Sequence, residues 1–303
     1  MPVLAALGWE PIKQGAGIVE ELPRYWVTED GDAPGPIGYP LSVWGWSRES
    51  LAEATKVARD RLRMTIDRLR DGGPPPDEYY PRMALREQVL HQVHDDDGAL
   101  IAEVSRNRYG AEILNTDAVL IADVDFPEAP KPASTPPLLA RLFGRKQLPT
   151  PDYEGQALAK IGQFAGRNGT YGTHVYRTFG GLRVIVTGSG ALPDSDFAAD
   201  LMAQMDTDEI YVQLCATHHT YRARLTPKPW RIGHRTLGAT WPFRIEGDER
   251  WTQNWVDSYR KKIEGYAVCR RVGSFGPEAS EREQRVIALH DQRTLPDQEL
   301  PLA

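Results

Sequence analysis

The run Ala118-Val119-Leu120-Ile121-Ala122-Asp123-Val124-Asp125-Phe126 constrains this chain more than any other stretch. It reads as an apolar strand whose end carries aspartates at i and i+2. Side chains two apart on a strand point to the same face, so Asp123 and Asp125 present two carboxylates side by side. Two like charges that close repel unless a cation, an arginine or a proton sits between them. A hard divalent ion that takes oxygen ligands, Mg²⁺ or Mn²⁺, would resolve the conflict. The other reading of the same residues is that Asp125 caps the turn before Pro127 and Asp123 pairs with a nearby arginine.

Around this strand the expected organisation is α+β. Residues 1–97 read as N-terminal α/β elements. Residues 1–46, with Trp9, Trp26, Trp44 and Trp46, suggest short strands and turns, the tryptophans serving as core. A helix follows, with Ser47 as N-cap, an apolar stripe of Leu51, Ala54, Ala58, Leu62, Ile66 and Leu69, a basic face of Arg59, Arg61, Arg63, Arg68 and Arg70, and a stop at Asp71 to Pro76. A shorter helix is expected over Pro81–Val93. The core unit is expected over 98–247, with a strand at Leu100–Val104, the Asp123 strand, and a proline-rich insertion at 127–152 carrying one small basic helix around Leu138–Lys146.

After the insertion come a helix at Glu154–Ala165, strands at Thr173–Arg177 and Leu182–Thr187, a helix at Asp194–Met205 and strands at Ile210–Cys215 and Tyr221–Thr226. Counted from the Asp123 strand this is β-α-β-β-α-β, the ferredoxin-like order, with helices on one face of the sheet. Leu120, Ala122, Val124 and Phe126 would then face the helices, leaving Asp123 and Asp125 on an open side. Residues 248–303 form a C-terminal helical extension, with a helix at Trp251–Tyr266 and a polar arm or frayed helix in the last thirty residues.

Two further constellations could handle phosphate. In Tyr176-Arg177-Thr178-Phe179-Gly180-Gly181-Leu182-Arg183, glycines allow close approach of the backbone and Arg177 and Arg183 supply charge, unless this is simply a four-residue hairpin with solvated arginines. In Tyr221-Arg222-Ala223-Arg224-Leu225-Thr226-Pro227-Lys228-Pro229-Trp230-Arg231, followed by His234 and Arg235, Arg222 and Arg224 share a strand face. The prolines fix an extended exit for Lys228 and Arg231, and Trp230 can stack on a base. The competing reading is an outer strand protected by charge and proline against edge pairing. Because the net charge is −6, this basic density is locally unusual and argues for an anion site. His91-x-x-His94 carries a weaker signal for metal against an ordinary helix end, His218-His219 reads as a solvated turn more readily than as a catalytic pair, and Lys13-Gln14-Gly15-Ala16-Gly17 lacks the strand and helix context of a nucleotide loop and is discounted.

These residues together resemble the catalytic core of archaeo-eukaryotic-type primases and primase-polymerases, over roughly residues 98–235. The resemblance implies an RRM-like fold, Asp123 and Asp125 as ligands of catalytic Mg²⁺ or Mn²⁺, and Gly181-Leu182-Arg183 in the place of a small-x-histidine motif that contacts nucleotide phosphate. Arginine stands here where that family has histidine, and Asp206, Asp208 and Glu209 are the only substitutes for a further acid. What it implies is metal-dependent nucleotidyl transfer, active or decayed. Thr178, Gly180, Gly181, Arg177, Arg222, Arg224, Lys228 and Arg231 would hold nucleotide, DNA or RNA.

The alternative function is a non-catalytic module that grips nucleotide or nucleic acid. A protein-interaction role through the proline-rich insertion and the tryptophan-rich N-terminus is a third. Hydrophobic residues make up 41% and charged residues 26%, which excludes disorder as the default. No apolar stretch is long enough to span a bilayer, the start does not read as a signal peptide, and two cysteines are too few for a disulfide framework. A cytoplasmic protein with no membrane partner is therefore expected.

Overall fold

The computed structural model describes residues 21–35, 38–73, 84–127 and 151–303. The expected small helix at 138–146, the prolines ending the first helix and the Lys13–Gly17 segment lie outside the described residues. Those residues form a mixed α+β structure with three antiparallel sheets and six helices.

An N-terminal hairpin pairs β1 (Tyr25–Asp32) with β2 (Pro40–Ser47). Helix α1 (Leu51–Arg70) packs on it through Ala54 and Ala58, both fully buried. The contact is so close that a Cβ added at Gly45 would lie 2.2 Å from the Ala54 carbonyl and the Ala58 nitrogen. The N-cap of α1 is Ser50, whose side chain accepts from the Glu53 N–H. Ser47 instead ends β2, its hydroxyl accepting from Glu49 and Ser50, and Leu51 at the head of the expected stripe is exposed.

The second sheet has the order β3-β4-β5-β9, from β3 (Gln88–His94), β4 (Leu100–Arg106), β5 (Glu112–Thr116) and β9 (Tyr221–Arg224). The third has the order β10-β7-β8-β6, from β6 (Leu120–Asp125), β7 (Gly172–Thr178), β8 (Gly181–Thr187) and β10 (Cys269–Phe275). Both share one core. Ile101, Val104 and Leu114 of the second sheet join Ile121, Val184 and Ile185 of the third, with Phe164 from α2 (Tyr153–Arg167), Met202 from α3 (Asp196–Ala203), Cys215 from α4 (Glu209–His218) and Val286 from α6 (Glu281–Thr294). Strand β8 is buried along its whole length, as a strand paired on both edges and covered on both faces must be. Helix α5 (Asp248–Ile263) adds a smaller cluster of Trp255, Val256 and Tyr259 with Ile232.

Several expectations are corrected. The expected helix over 81–93 contains strand β3, so His91 and His94, three apart on a strand, do not share a face. The expected strand at Ile210–Cys215 is helix α4, capped by Asp208 and ended by His219 in a left-handed conformation. The next strand, β9, is hydrogen-bonded to β5 in the second sheet. The polar C-terminal segment, expected as an arm or frayed helix, is helical and well formed: α6 carries a full capping box between Ser280 and Glu283 at its N-terminus. The face bearing Asp123 is not open throughout: α6 covers it at Arg183, where the His290 ring lies against the guanidinium. Strands β5 and β10 have no counterpart among the expected elements.

Candidate functional site

A row of side chains crosses the third sheet at one level. Register places Arg271 opposite Tyr176, Tyr176 opposite Arg183, and Arg183 opposite Asp123, so all four occupy one face. Helix α6 lies over the row. Asp291 receives Arg271 at 2.7 Å and the His290 Nδ1 at 2.8 Å, the His290 ring stands edge-on to Tyr176 at 4.8 Å, and Arg183 Nη1 reaches His290 Nε2 at 3.1 Å. An arginine can only donate, so His290 Nε2 is the acceptor and its proton sits on Nδ1 facing Asp291. Burial holds the His290 pKa down to about 4, keeping the ring neutral. Arg183 is therefore interior. Its Nη1 also donates to the Arg224 carbonyl at 3.0 Å, so it braces the strand that carries Arg224.

At the open end of the row the charges change sign. Asp123 is half-buried and Asp125 exposed at the end of β6. Asp208 joins them: its N–H donates to the Asp123 carbonyl at 3.0 Å, and its side chain caps α4 by accepting from Tyr211 at 2.8 Å. Partial burial, then the Asp123 and Asp208 carboxylates, push the Asp125 pKa up, against the pull of Lys228 and Arg224. This is the repulsion expected of adjacent aspartates, and among the described residues the cations offset it only in part.

Facing them are three cations. Arg224 on β9 is depressed to about 10 by burial and then by Arg183, with Asp123 opposing. Lys228 is lowered by burial, Arg224 and Arg231, and Arg231 by burial; for both, Asp125 and Asp123 pull the other way. Opposite charges thus feel one another here, yet among the described residues none of these cations forms a salt bridge. Arg224 Nε and Arg231 Nη1 are buried without a hydrogen-bond partner. Aromatic rings lie at the edge: Arg231 stacks on Phe179 at 4.1 Å, Lys228 sits 5.5 Å from Trp230, and both rings are about half exposed.

Asp123, Asp125, Arg224, Lys228 and Arg231, drawn from two separate sequence motifs, thus meet at one place, while Arg183 lies behind them. The other expected site residues have internal work. Arg177 is held by Glu154 at 2.9 Å and the Gly181 carbonyl at 3.0 Å, and stacks on Phe126. The Thr178 hydroxyl accepts from the Gly181 N–H, and the Gly180 carbonyl accepts from Phe126, tying the hairpin to the end of β6. Glycine at 181 is demanded by strand pairing, since a Cβ there would lie 2.0 Å from the Val124 carbonyl. Arg222 forms a buried ion pair with Glu87 at 2.7 Å.

Sequence reasoning places Asp208 only among three candidate acids, although its capping position is legible, an aspartate two residues before Ile210 at the head of an apolar run. It misses Phe179 as a site residue, and His290 gives no signal because its partners come from distant strands.

Among the described residues no group of three or more His, Cys, Asp or Glu side chains could hold a metal. The donor set that is present, two carboxylates beside unsatisfied cations, suits Mg²⁺ or Mn²⁺ arriving with phosphate, because Mg²⁺ is commonly held by one or two carboxylates plus substrate oxygens and water. Among the described residues no helix is long and apolar enough to cross a membrane. Comparison with protein-family models, curated proteins and solved structures finds no match.

Proposed function

We propose that this protein binds the phosphates of a nucleotide or nucleic-acid strand together with Mg²⁺ or Mn²⁺, and performs nucleotidyl or phosphoryl transfer at Asp123 and Asp125. The observation that carries this reading is that, among the described residues, Arg224, Lys228 and Arg231 face the two aspartates without closing a salt bridge, with Arg224 Nε and Arg231 Nη1 buried and unpartnered. Groups that only balanced each other would close into salt bridges. Held apart, they suit a ligand that is itself a metal–phosphate pair, the metal against the carboxylates and the phosphate oxygens against the cations.

The bound metal would supply charge neutralisation at phosphorus and lower the pKa of an attacking hydroxyl. In transfer from a nucleoside triphosphate, that oxygen forms a bond to the α-phosphorus, the bond to pyrophosphate breaks, and the hydroxyl proton passes to solvent. Arg224 and Lys228 orient the phosphates and offset charge on the leaving group. Phe179 and Trp230 offer faces for bases at the edge. We read β6-α2-β7-β8-α4-β9 as a ferredoxin-like unit of the primase-polymerase kind whose last strand pairs with the neighbouring sheet. The two free, buried cysteines suit a cytoplasmic setting.

A second reading rests on Asp208, whose side chain is committed to capping α4. With one acid occupied, the same site would grip nucleotide or single-stranded DNA or RNA without chemistry. The test is incubation of the protein with labelled nucleoside triphosphate, a single-stranded template and Mn²⁺ or Mg²⁺. Metal-dependent product from wild type that is lost in Asp123→Asn supports transfer. No turnover, with strand binding that survives EDTA and falls steeply with salt, supports the binding module instead.

A further inference from the structure

A cavity is lined in part by the Thr226–Pro227 segment just before Lys228. It encloses about 370 Å³, within the range of small-molecule sites. Arg106 at the end of β4, Glu112 at the start of β5 and the Thr226–Pro227 segment contribute to it, with Tyr259 and Val256 from α5. Ile263, Val268 and Leu295 add apolar wall, and Arg260 and Arg293 are exposed lining residues.

The polar groups at this cavity are not balanced. Arg106 is about nine-tenths buried. Its Nη1 reaches Gln88 at 3.4 Å and its Nη2 lies 3.9 Å from Glu112, while its Nε–H is buried with no acceptor. Glu112 is also engaged by Arg293, so one carboxylate serves two guanidinium groups. Counting Arg260 and Glu264, the lining carries three cations against two anions. Burial and the nearby Arg260 both disfavour the charged form of Arg106, a penalty that an anion beside it would relieve.

We propose that this cavity is a binding site for a small amphipathic monoanion, a carboxylate carried on an aliphatic or aromatic body. The carboxylate accepts from the Arg106 Nε–H, and the body lies against Val256, Ile263, Val268 and Tyr259. A single surplus positive charge and one free donor match a carboxylate better than a phosphate dianion, which demands more charge and more donors. The site is separate from the aspartate pair, and nothing in it depends on transfer chemistry.

The test is titration calorimetry on the full chain with octanoate, octylammonium and inorganic phosphate as probes. Octanoate should bind one-to-one in the wild type and equally in Asp123→Asn/Asp125→Asn. It should weaken at least tenfold in Arg106→Leu and be lost in Ile263→Trp, which fills the cavity from a half-buried position and leaves every charge in place. Octylammonium should not bind, and phosphate should not displace octanoate. Absence of octanoate binding, equal binding of octylammonium, displacement by phosphate, or wild-type affinity in a folded Ile263→Trp variant would each overturn the proposal. Loss of octanoate binding in the aspartate variant would do so too, by assigning the probe to the other site.

Discussion

Removing Arg222 should take away much of the protein's stability margin and leave phosphate recognition intact. Its guanidinium is 7% exposed and lies 2.7 Å from the Glu87 carboxylate, itself 6% exposed and also receiving the Ser105 hydroxyl. Truncation to Met strands that carboxylate in the interior, and breaking a buried pair from one side costs about 3–5 kcal/mol. At roughly 2–4 °C per kcal/mol for a chain somewhat smaller than this one, the melting temperature should fall by roughly 6–20 °C. Replacing both partners, as in Glu87→Gln/Arg222→Met, removes the stranded charge while keeping an acceptor for Ser105, and should recover at least half the loss. Thermal and urea denaturation followed by circular dichroism would measure all three variants against wild type. The reasoning fails if Arg222→Met melts within 2 °C of wild type, and it fails in a telling direction if that variant loses nucleotide affinity instead, because Arg222 would then be a ligand residue after all.

Acid should weaken the fold before the carboxylates titrate. Burial lowers the folded-state pKa of His290 to about 4, below its unfolded value, so its contribution is complete above about pH 6.5 and drains away as pH falls toward 4. Arg183, Arg271 and Tyr176 face this ring along with Asp291, and His290→Gln should make that stretch of the stability profile shallower in urea titrations run from pH 7 to 4, the rest of the slope belonging to His218, which burial lowers to about 3, and to His174, also lowered by burial. Gly45→Ala should cost at least ~1–3 kcal/mol, because the new methyl meets helix backbone that cannot rotate away; denaturation midpoints near wild type would refute the close seating of α1 on β2.

Where local chemistry and tertiary demand agree, the sequence is readable. The end of β6, the helix over 153–167 and the paired strands β7 and β8 all have apolar patterns that suit their burial. Helix α4 is easily misread because Ile210-Tyr211-Val212-Gln213-Leu214-Cys215 is composed like a strand, and only the Asp208 cap overrides this composition. Helix α6 announces itself through Ser280-x-x-Glu283, a signal obscured by the polarity of the helix body behind it. Edge strand β10 alternates half-buried and exposed positions without a run of apolar residues, so its membership of the sheet depends on pairing with β7 and not on its own pattern.

The site divides along the same line. Asp123 and Asp125 are visible from strand periodicity alone, as are the cations leaving β9. What periodicity does not tell is which cations face the aspartates. Arg222 and Arg224 are two residues apart on one strand, yet a single buried glutamate claims the first. Arg177 and Arg183 flank the same hairpin, and each is consumed by partners supplied by helices α2 and α6.

The most direct test of the central claim is thermal melting with Mn²⁺, with nucleoside triphosphate, and with both, for wild type and for Asp123→Asn/Asp125→Asn, each compared with its own ligand-free form. The variant loses the like-charge repulsion at Asp125 but also the attraction of both aspartates for Arg224, Lys228 and Arg231, so circular dichroism of its ligand-free form separates loss of binding from loss of fold. Wild type should gain from the two ligands jointly, by about 2.7 kcal/mol at a hundred times the dissociation constant, and the variant should lose that joint gain. An equal gain in the variant, or no gain in wild type, would contradict a metal–phosphate site at these aspartates.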